Sequence, residues 1–136
     1  MSGFYTITPK VLTGELYDAL NGVTSGNFVI NSPVTVSTNL TIDSGVSLKI
    51  EKGGIISCTA DLIINGTFEA GLYQVFSGTG SVNFGSGSIT EVYPEWWGAV
   101  GDGVTNDTVA MQKALDTVSS MGGGYVSLSC GVYDIS

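Results

Sequence analysis

The sequence predicts an all-β chain, and three observations support this fold class. The 136 residues include 20 glycines, few charged side chains and a positive mean hydropathy, a composition typical of β-rich chains with many tight turns. Short apolar segments of similar length follow one another between residues 27 and 93, each bounded by Gly, Asn, Asp, Ser or Pro. Most of these segments alternate apolar with polar residues, which is the periodicity of a half-buried strand.

The first 26 residues differ from the rest because they contain a short helical pattern. A start at Thr8 or Thr13 and a stop at Asn21-Gly22 bound this pattern. A helix this short needs a tertiary or subunit partner. It either packs on the first strands of its own chain, or Met1 to Asn21 is a docking or trimerising segment, and we assign residues 1–26 to the second role. The apolar residues on one side are Leu12, Leu16, Ala19 and Leu20.

Residues 27–93 predict a β-rich domain whose brief strands fit two architectures. One is a solenoid in which each coil contributes two or three strands, and the other is a small β-sandwich. No Asn-Gly pair forms a two-residue hairpin between long strands, which favours the solenoid. The repeat is only loosely periodic, so both architectures stay open at this stage.

Residues 94–136 predict a tight corner, one amphipathic helix and two short strands. Pro94 holds the preceding residue extended, and Trp96 and Trp97 bring two large rings that need a surface to cover. Thr105 is the predicted N-cap of the helix, which ends at the three glycines 122–124. The apolar helix face contains Ala110, Met111, Ala114, Leu115, Val118 and Met121. The segments 125–130 and 132–135 then alternate in period two.

This last region resembles the opening of the pectate-lyase-like right-handed parallel β-helix domains of bacteriophage tailspikes and polysaccharide depolymerases. The resemblance implies the start of a right-handed parallel β-helix, capped at its N-terminal end by the helix, within a homotrimer. Segments 45–54 and 62–71 also resemble coil corners of parallel β-helix proteins. Asn106 stands where this family more often has Asp. The matching residues are Trp97-Gly98-Ala99, Gly101-Asp102-Gly103-Val104-Thr105-Asn106-Asp107-Thr108, Met111-Gln112-Lys113-Ala114-Leu115, Gly122-Gly123-Gly124 and Gly131-Val132-Tyr133.

The charge balance and residue counts argue against several function classes. The net charge is −8, with four Lys or Arg residues in total and no histidine, which argues against nucleic acids and anionic membranes as partners. No apolar run approaches the ~18 residues of a membrane helix. Cys58 and Cys130 are expected to be free thiols, and no cofactor or metal is predicted. The N-terminus shows no export signal, so we expect synthesis in the host cytoplasm.

The candidate catalytic residues are few, and we assign none of them to catalysis or substrate binding. Glu91 with Glu95, and Asp102 with Asp107, are the nearby acidic pairs that a glycan hydrolase would need. The first pair is better explained by solvated charges, and the second by turn and helix-start roles. Adjacent rings such as Trp96 and Trp97 can stack on a sugar, but in such a corner they more often form packing or subunit contacts.

The sequence therefore predicts a structural neck region of a phage tailspike or tail fibre. Leu12, Leu16, Leu20, Trp96 and Trp97 are its predicted structural or interface residues, and Thr105, Met111, Leu115 and Val118 are predicted to pack the capping helix. The predicted partners are two further copies of the chain, phage tail or baseplate proteins at the N-terminus, and bacterial surface polysaccharide through a distal part. The predicted location is the virion tail.

The alternative is the N-terminal part of a pectate-lyase-like polysaccharide-degrading enzyme, either a hydrolase or a lyase. A single coil after the cap would leave open strand edges, so we also expect residue 136 to precede further sequence or to be covered by partners.

Overall fold

The computed structural model describes residues 9–85, 88–129 and 131–135, and its first part is a parallel β-solenoid of about four coils. The strands of the solenoid are β1 (Lys10–Val11), β2 (Gly14–Glu15), β3 (Gly26–Ile30), β4 (Val34–Val36), β5 (Leu40–Ile42), β6 (Val46–Ile50), β7 (Ile56–Cys58), β8 (Leu62–Ile64), β9 (Thr67–Ala70), β10 (Phe76–Ser77) and β11 (Val82–Phe84). They form three sheets in the orders β1-β3-β6-β9, β2-β4-β7-β10 and β5-β8-β11. Each coil thus supplies one strand to each face, apart from the first coil.

The strands pair in register with the strand one coil later, about twenty residues along the chain. Phe28 pairs with Leu48, which in turn pairs with Phe68. Every strand pair among the described residues is parallel. The solenoid prediction is therefore confirmed and the sandwich alternative is wrong, although the coils begin before residue 27, at Lys10, and their last strand ends at Phe84.

The core is a set of apolar ladders inside the solenoid. Because side chains in a strand alternate between faces, an in-register stack places inward residues of successive coils on top of one another. One such ladder contains Ile42, Ile64 and Phe84, which are 0%, 0% and 3% exposed. Two further ladders run through Leu40, Leu62 and Val82, and through Val34, Ile56 and Phe76.

A short helix, α1 (Leu16–Leu20), takes the place of the third strand in the first coil. Glu15 caps it by accepting a hydrogen bond from Tyr17 N at 3.2 Å, and the helix stops at Asn21 as predicted. The predicted start near Thr13 is wrong, and Thr8 lies outside the described residues. The leucines 12, 16 and 20 are 2%, 0% and 1% exposed in the core of their own chain. They pack on the strands of their own chain, which is one of the two roles that the sequence allows, and a docking role for residues 1–26 stays a prediction.

The chain turns sharply after the solenoid in a 3-10 helix, η1 (Pro94–Trp97). Gly98 ends it with a φ of +97°, a conformation that only glycine adopts without strain. The carbonyl oxygen of Trp96 accepts a hydrogen bond from Val75 N at 2.9 Å, so η1 lies directly on the last full coil. The strand before it, β12 (Glu91–Val92), and the strand after it, β13 (Asp102–Asn106), belong to two small sheets beyond the solenoid.

The second helix, α2 (Thr108–Ser120), packs against β11, β12 and η1, but with a different face from the one predicted. Its buried residues are Ala110, Ala114 and Thr117, because small side chains allow close approach to the solenoid. Leu115 is 48% exposed, so its predicted packing role is wrong. Val118 is half-buried and does contact the core, and Met111 is half-buried.

The predicted N-cap of α2 also requires correction. Asp107 occupies the N-cap position, and Thr105 is an exposed residue of β13. Asp102 accounts for the difference, because its side chain accepts hydrogen bonds from the amide and the hydroxyl of Thr105 and holds that residue in β13, before the helix.

Two parallel strand pairs complete the described chain. β14 (Tyr125–Val126) pairs with β12, and β15 (Val132–Asp134) pairs with β13. The predicted strand 125–130 is thus shorter than expected, and Cys130 lies outside the described residues. The strand β13 falls in the stretch predicted as a tight corner, because Gly101 before it, Gly103 within it and the Asn106-Asp107 pair at its end are typical of turns.

Candidate functional site

An aromatic cluster lies where the solenoid meets the C-terminal strands. Trp96 is 4% exposed, and its Nε1 donates a hydrogen bond to the carbonyl oxygen of Gly71 at 2.9 Å. Its ring centroid lies 5.2 Å from that of Phe68 in an edge-to-face arrangement. Trp97 is half-buried, with its ring centroid 5.3 Å from that of Phe76. Trp96 is therefore a core residue, whereas Trp97 retains an accessible surface.

Glu95 is a buried carboxylate at the same junction, and the prediction that it is a solvated charge is wrong. It is 8% exposed. Its Oε2 accepts hydrogen bonds from Ser129 Oγ at 2.6 Å and from the Tyr133 hydroxyl at 2.5 Å. Burial and the hydrogen bond to Glu95 raise the pKa of Tyr133. No donor in the described part of the chain reaches Glu95 Oε1. This side chain ties η1 to the segment that contains β15.

Glu91 is exposed, as predicted, and is held by two hydroxyl groups. It accepts hydrogen bonds from Ser127 Oγ at 2.6 Å and from the Tyr93 hydroxyl. These two hydrogen bonds lower the pKa of Glu91, and the bond to Glu91 raises the pKa of Tyr93. The contact with Ser127 connects β12 to the residue that follows β14.

The other acidic pair lies at the corner, with Asp102 in β13 and Asp107 at the N-cap position of α2, where its side chain makes no capping hydrogen bond. Asp102 Oδ1 accepts hydrogen bonds from the amides of Val104 at 2.9 Å and Thr105 at 2.7 Å, and these bonds lower its pKa. Asp107 is 2% exposed and accepts hydrogen bonds from Val100 N at 2.9 Å and Gly101 N at 3.1 Å. Both carboxylates thus order the backbone around the glycines of the corner.

A polar groove of about 270 Å³ separates α2 from the last coil of the solenoid. Trp97 and Val82 provide apolar surface, and Asn83 and Asp116 provide polar groups. Two hydrogen bonds join α2 to the last coil: Lys113 Nζ donates to Gly78 O at 2.7 Å, and Thr117 Oγ1 donates to Val82 O at 3.0 Å. We call this feature the α2 groove. Its other lining residues are Thr79, Gly80, Ser81 and Ser120.

Sequence reasoning missed the α2 groove. Lys113 and Gly78 are 35 positions apart, as are Thr117 and Val82, and nothing local in the sequence indicates that they meet. Asn83 on β11 is a single polar residue that belongs to no recognisable sequence motif. The available signal was the pair of adjacent tryptophans, whose second ring lines the groove.

Cys58 is a fully buried free thiol, and burial raises its pKa to about 11. Within residues 9–85, 88–129 and 131–135, no three histidine, cysteine or acidic side chains cluster as metal ligands would. None of the described helices is long and apolar enough to cross a bilayer.

Comparison with known proteins gives matches that cover only part of the chain. It is 60% identical over 35 residues to the capsule KN3-specific depolymerase 1 of Klebsiella phage KN3-1, and this alignment covers 26% of this chain and 4% of the depolymerase. It is 50% identical over 40 residues to mannuronan C5-epimerase AlgE1 of Azotobacter vinelandii, and this alignment covers 29% of this chain and 3% of the epimerase. No protein-family model matches the chain, and no solved structure does.

These partial matches confirm the resemblance to β-helix polysaccharide enzymes that the sequence predicts. The aligned segments span only a few per cent of either relative.

Proposed function

We propose that this chain is the structural neck region of a homotrimeric phage tailspike or tail fibre, in which it joins the virion tail to a distal glycan-binding or glycan-degrading β-helix. In this proposal residues 1–26 include the contact to tail or baseplate proteins, residues 27–93 form the neck solenoid, and residues 94–136 form the corner, capping helix and first coil of the distal domain. The protein acts on bacterial surface polysaccharide as part of the virion.

The observation that carries this proposal is the direct succession of two stacked β-structures. Trp96 and Ala114 of α2 belong to the core of the four-coil solenoid, and parallel pairing then resumes between β12 and β14 and between β13 and β15. Glu95 and Glu91 accept hydrogen bonds from Ser129 Oγ and Ser127 Oγ, which connect the corner to the second structure. A continuous stack of this kind transmits orientation from one end to the other, which suits a connector.

The carboxylates of the junction support a structural role. Glu95 and Asp107 are buried, and each accepts two hydrogen bonds from the chain itself. A glycosidase acid or base has to reach the glycosidic oxygen or a water molecule beside it. The partial match to the phage depolymerase supports polysaccharide as the substrate class of the whole protein.

The trimer is supported by apolar side chains exposed on the C-terminal region. Monomeric proteins rarely expose many large apolar side chains on one region, and such residues often mark an interface. Leu115, on the outer face of α2, is suited to the same contact. The exposed residues are Val104, Val109, Leu115, Tyr125, Leu128, Val132 and Ile135, with exposures of 48% to 81%.

The experiment for this proposal is light scattering on the purified chain. We expect a molar mass three times that of the 14.0 kDa chain. Val132→Asp is expected to reduce the mass to that of a monomer, because it places a charge in the proposed interface. Leu72→Asp is the matched control, since Leu72 is a similarly exposed apolar residue (55%) that lies in the solenoid, outside the proposed interface. A monomer at all concentrations would overturn the trimeric neck.

The second candidate is the N-terminal part of a pectate-lyase-like polysaccharide-degrading enzyme. The partial match to a mannuronan epimerase favours it, because that relative is an enzyme by name. Incubation of the chain with purified capsular polysaccharide, followed by mass spectrometry of the soluble products, separates the two candidates. The neck proposal predicts no oligosaccharide products, whereas new oligosaccharides would favour the enzyme.

A further inference from the structure

We propose that the α2 groove is a binding site for a neutral sugar unit, so that this chain itself contacts the glycan. The proposal takes its ligand class from the proposed function, but it needs neither the trimer nor the tail attachment. The groove lies between β11 and α2, and the buried carboxylate of Glu95 is not among its lining residues.

The size and surface of the α2 groove suit one or two sugar residues. Its volume of about 270 Å³ is close to the lower end of the ~300–1,000 Å³ range of small-molecule sites. A sugar ring presents an apolar C–H face and a rim of hydroxyl groups, so it needs a flat aromatic surface beside hydrogen-bonding groups. Trp97 supplies the aromatic surface, and its position is fixed by packing on Phe76.

The polar groups of the groove have unused hydrogen-bonding capacity. The side-chain amide of Asn83 and the Nε1 of Trp97 have no protein partner among the residues that the structure describes. Asp116 accepts one hydrogen bond, from Gln112 Nε2 at 2.8 Å on Oδ1, which orients the carboxylate. The groove therefore offers two donor groups and two acceptor groups to a ring of hydroxyls.

The rest of the groove is already fixed, which limits the entropy lost on binding. Lys113 and Thr117 donate to backbone carbonyls of the solenoid, so the width of the groove does not depend on a ligand. Ser81 Oγ donates to Asp61 at 2.9 Å, and Ser120 Oγ donates to Asp116 O at 3.0 Å. The hydroxyl oxygens of these serines can still accept.

The charges favour neutral sugars over uronic acids. Lys113 is the cation among the lining residues, and its Nζ already donates to Gly78 O, in a chain whose net charge is −8. A uronate placed beside Asp116 would meet a like charge, which is unfavourable even with partial screening. A hexose or deoxyhexose hydroxyl can instead donate to the free oxygen of Asp116.

The test is titration of the isotope-labelled chain with D-glucose, D-galactose, L-rhamnose and D-glucuronate, followed by nuclear magnetic resonance. We expect shifts confined to the Trp97 indole N–H, the Asn83 amide and the backbone of α2, with a dissociation constant of about 1 mM or weaker for a single sugar unit. Asn83→Ala and Asp116→Ala are each expected to weaken binding by about tenfold, from the loss of one or two hydrogen bonds.

The matched control is Thr41→Ala. Thr41 lies on the same outward ladder as Asn83, two coils away and outside the groove, so its replacement is expected to leave binding unchanged. The absence of groove-confined shifts with all three neutral sugars would overturn the proposal, and tighter binding of D-glucuronate than of D-glucose would overturn the role of Asp116. Light scattering on the same samples separates this test from the neck proposal, because a trimer that binds no sugar refutes only the groove.

Discussion

The in-register stack makes a sharp prediction about two neighbouring isoleucines on β8. Ile63 and Ile64 are the same residue type on the same strand, but they point to opposite sides of the sheet. Ile64 is 0% exposed between Ile42 and Phe84, whereas Ile63 is 37% exposed between Thr41 and Asn83. A slip of one position in register would exchange their environments. Replacing each by alanine therefore tests the register directly.

The structure gives the magnitude for Ile64→Ala. Truncation of a buried isoleucine to alanine lowers the unfolding free energy by about 2–5 kcal/mol, and the loss is larger when the surrounding residues cannot close the cavity. Ile42 and Phe84 are held above and below by their own strand pairing, so little collapse is expected and we predict about 3–5 kcal/mol. Ile63→Ala removes a half-exposed side chain and is expected to cost about 1 kcal/mol or less.

The assay is urea unfolding of the two variants beside the unmodified chain. Since the dependence of unfolding free energy on urea is about 1–3 kcal/mol per molar for small proteins, Ile64→Ala is expected to lower the midpoint by more than about 1 M. Ile63→Ala is expected to move it only slightly. An equal or larger effect of Ile63→Ala would refute the register and the ladders built on it.

Three further predictions concern buried polar groups. Burial raises the pKa of the Cys58 thiol from its ordinary 9.0 to about 11, so the thiol ionises at lower pH in the unfolded chain than in the folded one. The unfolding free energy is therefore expected to fall between pH 9 and 11. Urea unfolding of Cys58→Ala should show a smaller fall over this pH range, and an identical fall would contradict the prediction. Asp107→Ala leaves two amides without their acceptor and is expected to cost about 1–3 kcal/mol by urea unfolding, whereas no loss would contradict its role. Glu95→Ala is expected to accelerate hydrogen exchange of β15 amides without affecting β7, and unchanged exchange in β15 would contradict the proposed tie.

The sequence was sufficient for the strands of the solenoid because their signal is local. Segments such as Val34–Val36 and Leu40–Ile42 are short, alternating and bounded by turn residues, and each became a strand with its apolar residues inside. Their in-register stacking could not be read from one strand alone, because the repeat of about twenty residues is uneven and the ladders contain different apolar residues in each coil.

The helix faces were harder to predict because packing partners decide them. The stripe of large apolar residues predicted burial of Leu115, but the contact of α2 with the solenoid uses Ala110 and Ala114 and the hydrogen bond of Thr117. In the same way, the polarity of Glu95 predicted exposure, whereas Ser129 and Tyr133 supply the hydrogen bonds that allow its burial. These partners lie more than thirty positions away in the sequence.

Stacking of parallel coils is the claim on which both the neck proposal and the α2 groove depend, and a disulfide between neighbouring coils tests it most directly. Ser57 Oγ and Ser77 Oγ lie 2.9 Å apart on paired strands, so Ser57→Cys with Ser77→Cys, in a background with Cys58→Ala and Cys130→Ala, is predicted to cross-link on oxidation. Thr35→Cys with Ser77→Cys is the control, because these positions are two strands apart, roughly 9–10 Å, and beyond disulfide reach. A cross-link in the first variant alone is the predicted result, and its absence there, or equal cross-linking in the control, would contradict the stack.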